Sequence, residues 1–353
     1  MLARLLQSLA VVVAVAAIES MPAEAQPLVA VARFQSGDLI QGPGLAALSA
    51  KGVLLTFDKN GVRSDKLTPK LLGAHGDGRI LWGRTFLVAV GDPNRFGRPN
   101  DKKPKSVFGT IETVRALGRS EVWQVTVDNM PELALVDHED HLRRLPSLPL
   151  IGEPPPGLSA IGASACTKPI PWRLSRGPGG AAAMIMECDV RTDLRIETIH
   201  SEGTTTVKRY KALGPYDFEP NEFVMLSDGT PVLAGRKSGH FALARAVADG
   251  SWNIQTTTDA TTLVTSLTVD EAGQIWSIGL GAGADGKDVW TLRRGLDTVP
   301  IATPDGQALA PRELVSDFNI GVVVKARVVG SDYKDPYWLM AAHKPRGPFI
   351  DLP

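Results

Sequence analysis

The chain has 353 residues, with 38 Lys and Arg against 38 Asp and Glu, 43% hydrophobic residues and 22% charged ones. Such a balance offers no basic field for nucleic acid or an anionic membrane, and the composition is that of a globular protein long enough to bury a large core. Its 35 glycines and 26 prolines are spread along the chain, as many short elements with many turns require, which favours an all-β protein.

Residues 1–25 begin with one cation, Arg4, continue as an apolar run over 5–18 and end on Ala23-Glu24-Ala25. That is the layout of a cleavable secretory signal. The run is short for a bilayer core of about 30 Å, and Pro22 breaks a helix just ahead of the cleavage point. Cleavage after Ala25 removes Arg4, Glu19 and Glu24, so a chain of residues 26–353 starts at Gln26 with its net charge moved from 0 to +1. The expected address is the periplasm or the exterior. No later apolar stretch has the length of a membrane span.

Strand signals then follow one another. Residues 52–61 look like a strand ending in a hairpin turn, Asp77-Gly78 leads into a strand bearing Trp82, and Glu121-Val122-Trp123-Gln124-Val125 alternates as a strand does. Residues 91–119 carry Arg95, Arg98, Lys102, Lys103 and Lys105 among Asn, Pro and Gly, and read as an exposed basic insertion between strands. Residues 146–157, with Pro149 and Pro154-Pro155-Pro156, read as a stiff connection inside a single domain spanning 26–353.

Between those stretches lies the densest group of metal-competent side chains, Asp137-His138-Glu139-Asp140-His141. On a helix His138 and His141 would share a face, and with Asp137 and Asp140 they would offer ligands to a divalent metal. The other reading is a solvated turn running into Leu142-Arg143-Arg144-Leu145. Further on, Cys166 and Cys188 are the two cysteines, read as one disulfide in an oxidising compartment, worth ~3 kcal/mol on the chain-entropy model, with two buried thiols as the alternative.

The last third repeats. Phe223-Val224-Met225-Leu226-Ser227-Asp228-Gly229 precedes a strand and then His240-Phe241-Ala242-Leu243. Ser266-Leu267-Thr268-Val269-Asp270-Glu271-Ala272-Gly273 precedes Gln274-Ile275-Trp276-Ser277-Ile278 and then Asp288-Val289-Trp290. A looser third copy covers 314–324 and Asp335-Pro336-Tyr337-Trp338. Gly229 to Gly273 is 44 positions and Trp290 to Trp338 is 48. A period in the forties made of short strands is the signature of a β-propeller, because one four-stranded blade cannot bury its own faces and stacking blades around an axis covers them. At that period the chain holds about six or seven four-stranded blades. Trp82, Trp123, Trp276 and Trp290 are expected in the packing between blades.

The run Asp270-Glu271-Ala272-Gly273-Gln274-Ile275-Trp276 resembles the D-x-x-G-x-I-W strand of bacterial β-propeller groups, among them sensor-type propellers and gluconolactonase-like hydrolases. The resemblance implies an architecture. The gluconolactonase-like group holds a divalent metal in its central channel through acidic and amide residues of separate blades, and those residues find no match here.

No G-x-S-x-G elbow, H-E-x-x-H, phosphate loop or dinucleotide fingerprint occurs. Two functional readings stand. The first is a non-enzymatic module that binds a protein, glycan or small ligand at one face of the disc. The second is a metal-assisted hydrolase or lyase acting on a sugar-derived substrate in the central channel.

Overall fold

The computed structural model describes residues 28–35, the paired strands between residues 38 and 199, and most of residues 200–352. Among them there is no helix. In chain order the strands are β1 (Val29–Phe34), then β2 (Asp38–Gly42), β3 (Leu45–Ala50), β4 (Val53–Asp58) and β5 (Gly61–Lys66). A short pair follows, β6 (Ile80–Trp82) and β7 (Leu87–Ala89). Next come β8 (Thr110–Leu117), β9 (Ser120–Val127), β10 (Met130–Val136) and β11 (Leu142–Leu145). The fourth group is β12 (Ile170–Gly177), β13 (Gly180–Met186), β14 (Asp193–Ile199) and β15 (Thr205–Lys211). The fifth is β16 (Glu219–Met225), β17 (Pro231–Lys237), β18 (His240–Ala246) and β19 (Trp252–Ala260). The sixth is β20 (Leu263–Val269), β21 (Ile275–Ala282), β22 (Asp288–Arg294) and β23 (Asp297–Thr298). The chain ends with β24 (Leu309–Asp317), β25 (Gly321–Val328), β26 (Tyr337–Ala341) and β27 (Ile350–Leu352).

Consecutive strands pair antiparallel into five four-stranded sheets and the short β6-β7 pair. The closing sheet has the order β24-β25-β26-β1-β27, so the first strand of the chain completes its last sheet. There β1 runs antiparallel to β26 and parallel to β27, and Arg33 reaches Asp351 across 318 positions. The first strands of the six larger sheets touch in a closed cycle, β2 to β8, β12, β16, β20, β24 and back to β2, with β6 lying against β2. That ring of radially stacked sheets, closed by an amino-terminal strand, is a β-propeller.

Apolar clusters fill the junctions between sheets. Ile196 and Tyr210 of the fourth group meet Phe223, Met225 and Leu233 of the fifth. Val224, Leu226, Phe241 and Leu243 meet Val264 and Val269 of the sixth. Trp276, Ile278 and Leu292 meet Leu314, Val322, Val324 and Met340 of the closing sheet. Alternation supplies both sides: Val322 and Val324 face one neighbour while Val323 joins Val31, Phe34 and Leu339 on the other face. Trp276 therefore has the inter-blade place expected of it, and Trp82 and Trp123 lie on β6 and β9.

One boundary differs from expectation. The basic stretch read as an insertion over 91–119 ends sooner, because Thr110–Leu117 is β8, the innermost strand of its sheet. Its β-branched Thr110, Ile111, Thr113 and Val114 suit a pleated surface, and pairing with β9 outweighs the surrounding charge. Residues 1–25, 91–109 and 146–157 lie outside the described residues.

Candidate functional site

One irregularity recurs along the innermost strands. The register slips between Ile111 and Thr113 on β8, Pro171 and Arg173 on β12, Pro220 and Glu222 on β16, Val264 and Ser266 on β20, and Pro311 and Glu313 on β24. Each slip leaves one residue unmatched by the partner strand, which is a β-bulge. Proline fits just ahead of it, having no N–H to give the ladder. Because strands alternate in direction, the five bulges lie at one end of the ring, the end that also carries the β17–β18 turn. The turns at Asp228, Asp249 and Asp270 lie at the other end.

At the bulged end, three neighbouring innermost strands are joined by polar groups. Asn221, the unmatched residue of β16, accepts the Val264 N–H of β20 through Oδ1 at 3.0 Å. Its carbonyl accepts the Arg173 Nε–H of β12 at 3.2 Å, and Arg173 Nε lies 3.5 Å from Glu222 Oε1. These groups are half-buried, as expected around an opening.

The unmatched residue of β24 is Arg312. Its guanidinium sits over the Trp290 ring of the adjacent sheet, 4.5 Å from the centroid. Arg327 stacks on Tyr337, its cross-strand partner, at 4.0 Å, and Lys325 Nζ lies 4.9 Å from the same ring while donating to Glu313 Oε1 at 2.6 Å. Burial lowers the pKa of Arg312, and the positive charge of Arg327 lowers it further, while Tyr337 and Asp288 act the other way. The Arg312 guanidinium remains a cation near neutrality. Neither it nor that of Arg327 makes a hydrogen bond or ion pair with a described residue, and Arg327 Nε is buried without a partner.

Register aligns the rings. Phe241 opposes Arg236, Trp290 opposes Leu280 and Tyr337 opposes Arg327, each pair one step beyond the residue facing the bulge. The counterpart of Trp290 is thus Tyr337, 47 positions on, and the spacing drawn to Trp338 is one residue too long. Two successive aromatics at 337 and 338 hide that register, because alternation puts them on opposite faces of β26. Tyr337 stacks on Phe34 at 5.8 Å, and Trp338 meets Phe349 at 5.7 Å.

At the Phe241 level the stacked cation is Arg293, 4.8 Å from the centroid. Its side chain is 3% exposed, and its donors reach Asp259 Oδ2 at 2.9 Å, Leu296 O at 3.4 Å and Thr298 Oγ1 at 3.3 Å. That arginine is a strut between two sheets. Arg312 and Arg327 share its stacking without its carboxylate.

The metal candidates Asp137, His138, Asp140 and His141 fall between β10 and β11, outside the described residues, as do Cys166 and Cys188. Among the described residues no group of three or more His, Cys, Asp or Glu could hold a metal ion. Sequence reasoning missed Arg173, Asn221, Glu222, Arg312 and Arg327. A signal was present in Pro171-Trp172-Arg173, Pro220-Asn221-Glu222 and Pro311-Arg312-Glu313, a proline two positions before a charged residue at the start of three innermost strands.

Sheet order and closure define an all-β propeller with a polar, partly cationic rim at one end. No family model and no curated protein matches the chain. Solved structures similar to it include a catalytically inactive virginiamycin B lyase from Staphylococcus aureus with quinupristin, at 11% identity over 87% of this chain and 96% of that one, with a TM-score of 0.45. A streptogramin B lyase is 13% identical over 90% and 99%, with a TM-score of 0.44. The calcium-binding protein regucalcin from Agrobacterium tumefaciens is 14% identical over 92% and 97%, with a TM-score of 0.33.

Proposed function

We propose that this chain is an exported propeller acting as a non-enzymatic binding module, which presents the bulged end of its ring to a protein, glycan or small ligand. One observation carries the reading: five innermost strands break register at the same level, gathering Arg173, Asn221, Glu222 and Arg312 from separate sheets at one end. Bulges re-aim side chains at rims and sites, and five at one level exceed what a lone packing defect requires. Export fits the closure, since Leu28 and Ala30 already pack in the last junction and cleavage after Ala25 leaves two residues before Leu28.

The test is a thermal-shift panel on the chain from Gln26 onward, with sugars, sugar acids, lactones, divalent metals and a chelator. A ligand at 100 times its dissociation constant adds about 2.7 kcal/mol to the folded state. The expected result is a saturable rise with one ligand class, no turnover, and loss of the rise in an Arg173→Gln, Glu222→Gln double variant. Metal-dependent turnover of a lactone or sugar derivative would replace this reading with the hydrolase or lyase. A rise that survives the double variant would move the ligand away from this rim. Mass spectrometry of the exported protein should find Gln26 at its amino terminus, and an intact Met1 would refute export by cleavage.

A further inference from the structure

The four-stranded sheets are each built from consecutive strands, so each forms from one local stretch of chain; β16 to β19, for example, lie within residues 219–260. The strand β1 has no such local partner. Val29 to Phe34 pair with residues 337–341 along one edge, and Ala32 to Phe34 pair with residues 350–352 along the other. Val31, Ala32 and Phe34 are fully buried, and every member of their cluster outside β1 comes from residue 315 onward. Arg33 fastens the arrangement. It donates to Asp351 from Nε at 3.2 Å and from Nη2 at 2.5 Å, and it stands 5.7 Å from the centroid of the Trp338 ring, which Phe349 also meets at 5.7 Å.

Until residues 315–352 are in place, a strand with three fully buried side chains has neither a sheet edge to pair with nor a surface to hide against. Joining Arg33 to Asp351 across 318 positions of unstructured chain costs loop-closure entropy, and the cost falls away once the intervening sheets have stacked and set the two ends side by side. The hold is modest once made. The strand β27 has 3 residues, it pairs with β1 in parallel, and the side chains of Arg33 and Asp351 are 41% and 47% exposed, so water weakens their attraction. By contrast β17 and β18 are buried along most of their length, inside a sheet whose strands follow one another.

We infer that β1 is a strap, the last element to close the ring and the first to open it. Only Gln26, Pro27 and Leu28 separate it from the expected cleavage point after Ala25. In a chain that crosses a membrane amino end first, the strap crosses ahead of its partners, and the ring is completed only when residues 337–352 have followed. The order of closure stands on topology, and its bearing on export rests on residues 1–25 directing it, so an intact Met1 would remove that bearing alone.

The test is hydrogen–deuterium exchange, read by mass spectrometry, on the chain from Gln26 onward. Pulses at increasing times after dilution from urea should find the amides of residues 29–34 and 350–352 protected about tenfold later than those of residues 231–246. In the folded protein the same amides should exchange about tenfold faster than those of 231–246. Asp351→Asn and Arg33→Gln each remove the charge pair, and each should speed exchange at 29–34 and 350–352 about threefold while leaving 231–246 unchanged. Asp351 is exposed, so its variant serves if Arg33→Gln does not fold. Protection of 29–34 together with or ahead of 231–246 would overturn the strap, as would variants that affect both regions alike.

Discussion

The indole N–H of Trp276 donates to Asp270 Oδ2 at 2.7 Å, while the other carboxylate oxygen accepts the N–H groups of Ala272 at 2.9 Å and Gln274 at 2.8 Å. One carboxylate thus closes the β20–β21 turn and fixes the ring that fills the next junction. Gly273, at a φ of 76°, supplies the left-handed residue that the turn needs. The D-x-x-G-x-I-W spacing is therefore the geometry of a blade corner.

Replacing Asp270 with Ala leaves two turn amides and a largely buried indole N–H without their acceptor. The expected loss is about 2–3 kcal/mol, and Trp276→Phe should cost about 1–2 kcal/mol. Urea unfolding of both singles and the double variant checks the coupling, expected at about 1 kcal/mol, and additive effects would show that the two side chains act independently.

A second outcome concerns the bulge itself. A Cβ on Gly235 would stand 2.0 Å from the Glu219 carbonyl oxygen, because the bulged start of β16 approaches β17 there. Gly235→Ala must displace main chain on one side or the other. A loss of about 2–3 kcal/mol is expected from overpacking. The same substitution at Gly239, where a Cβ meets nothing within 4 Å, removes space as a cause and retains only the strain of a φ of 81°. Its cost should be smaller, about 1 kcal/mol, and the two melting curves compare them directly.

Acid should weaken the corners before neutral pH does. The Ser251 hydroxyl, then its N–H, and then Lys211 hold the Asp249 carboxyl well below the usual carboxylate range, and the Thr230 N–H lowers Asp228. A folded pKa below the unfolded value, about 3.9 for Asp, gives stability that is complete above about pH 4 and is lost as pH falls through the folded value. The midpoint should stay level from pH 7 to 5 and drop below pH 4. In Asp249→Asn the deficit seen at pH 6 should narrow towards pH 2, and a constant deficit would remove Asp249 from the acid response.

The strands, the Asp-Gly corners and the blade period were legible because they are local: alternation reports which face is buried, and Asp228-Gly229 or Asp270 to Gly273 carries its own turn chemistry. The rim was not. Nothing within a few residues of Arg312 shows that it will lie on Trp290, 22 positions earlier, in another sheet. Two successive aromatics stand at 337 and 338, and only the pairing of Tyr337 with Arg327 shows which of them answers Trp290, which is why the match of Trp290 to Trp338 missed Tyr337.

The order of hydrophobic and polar residues was enough to make sheets that must stack, since each has two apolar faces to hide from water. Tertiary structure alone decided that β1 would complete the last sheet and that five bulges would share one end. Those outcomes depend on contacts between residues far apart in the chain, such as Arg33 and Asp351, whose meeting is settled only when the ring closes.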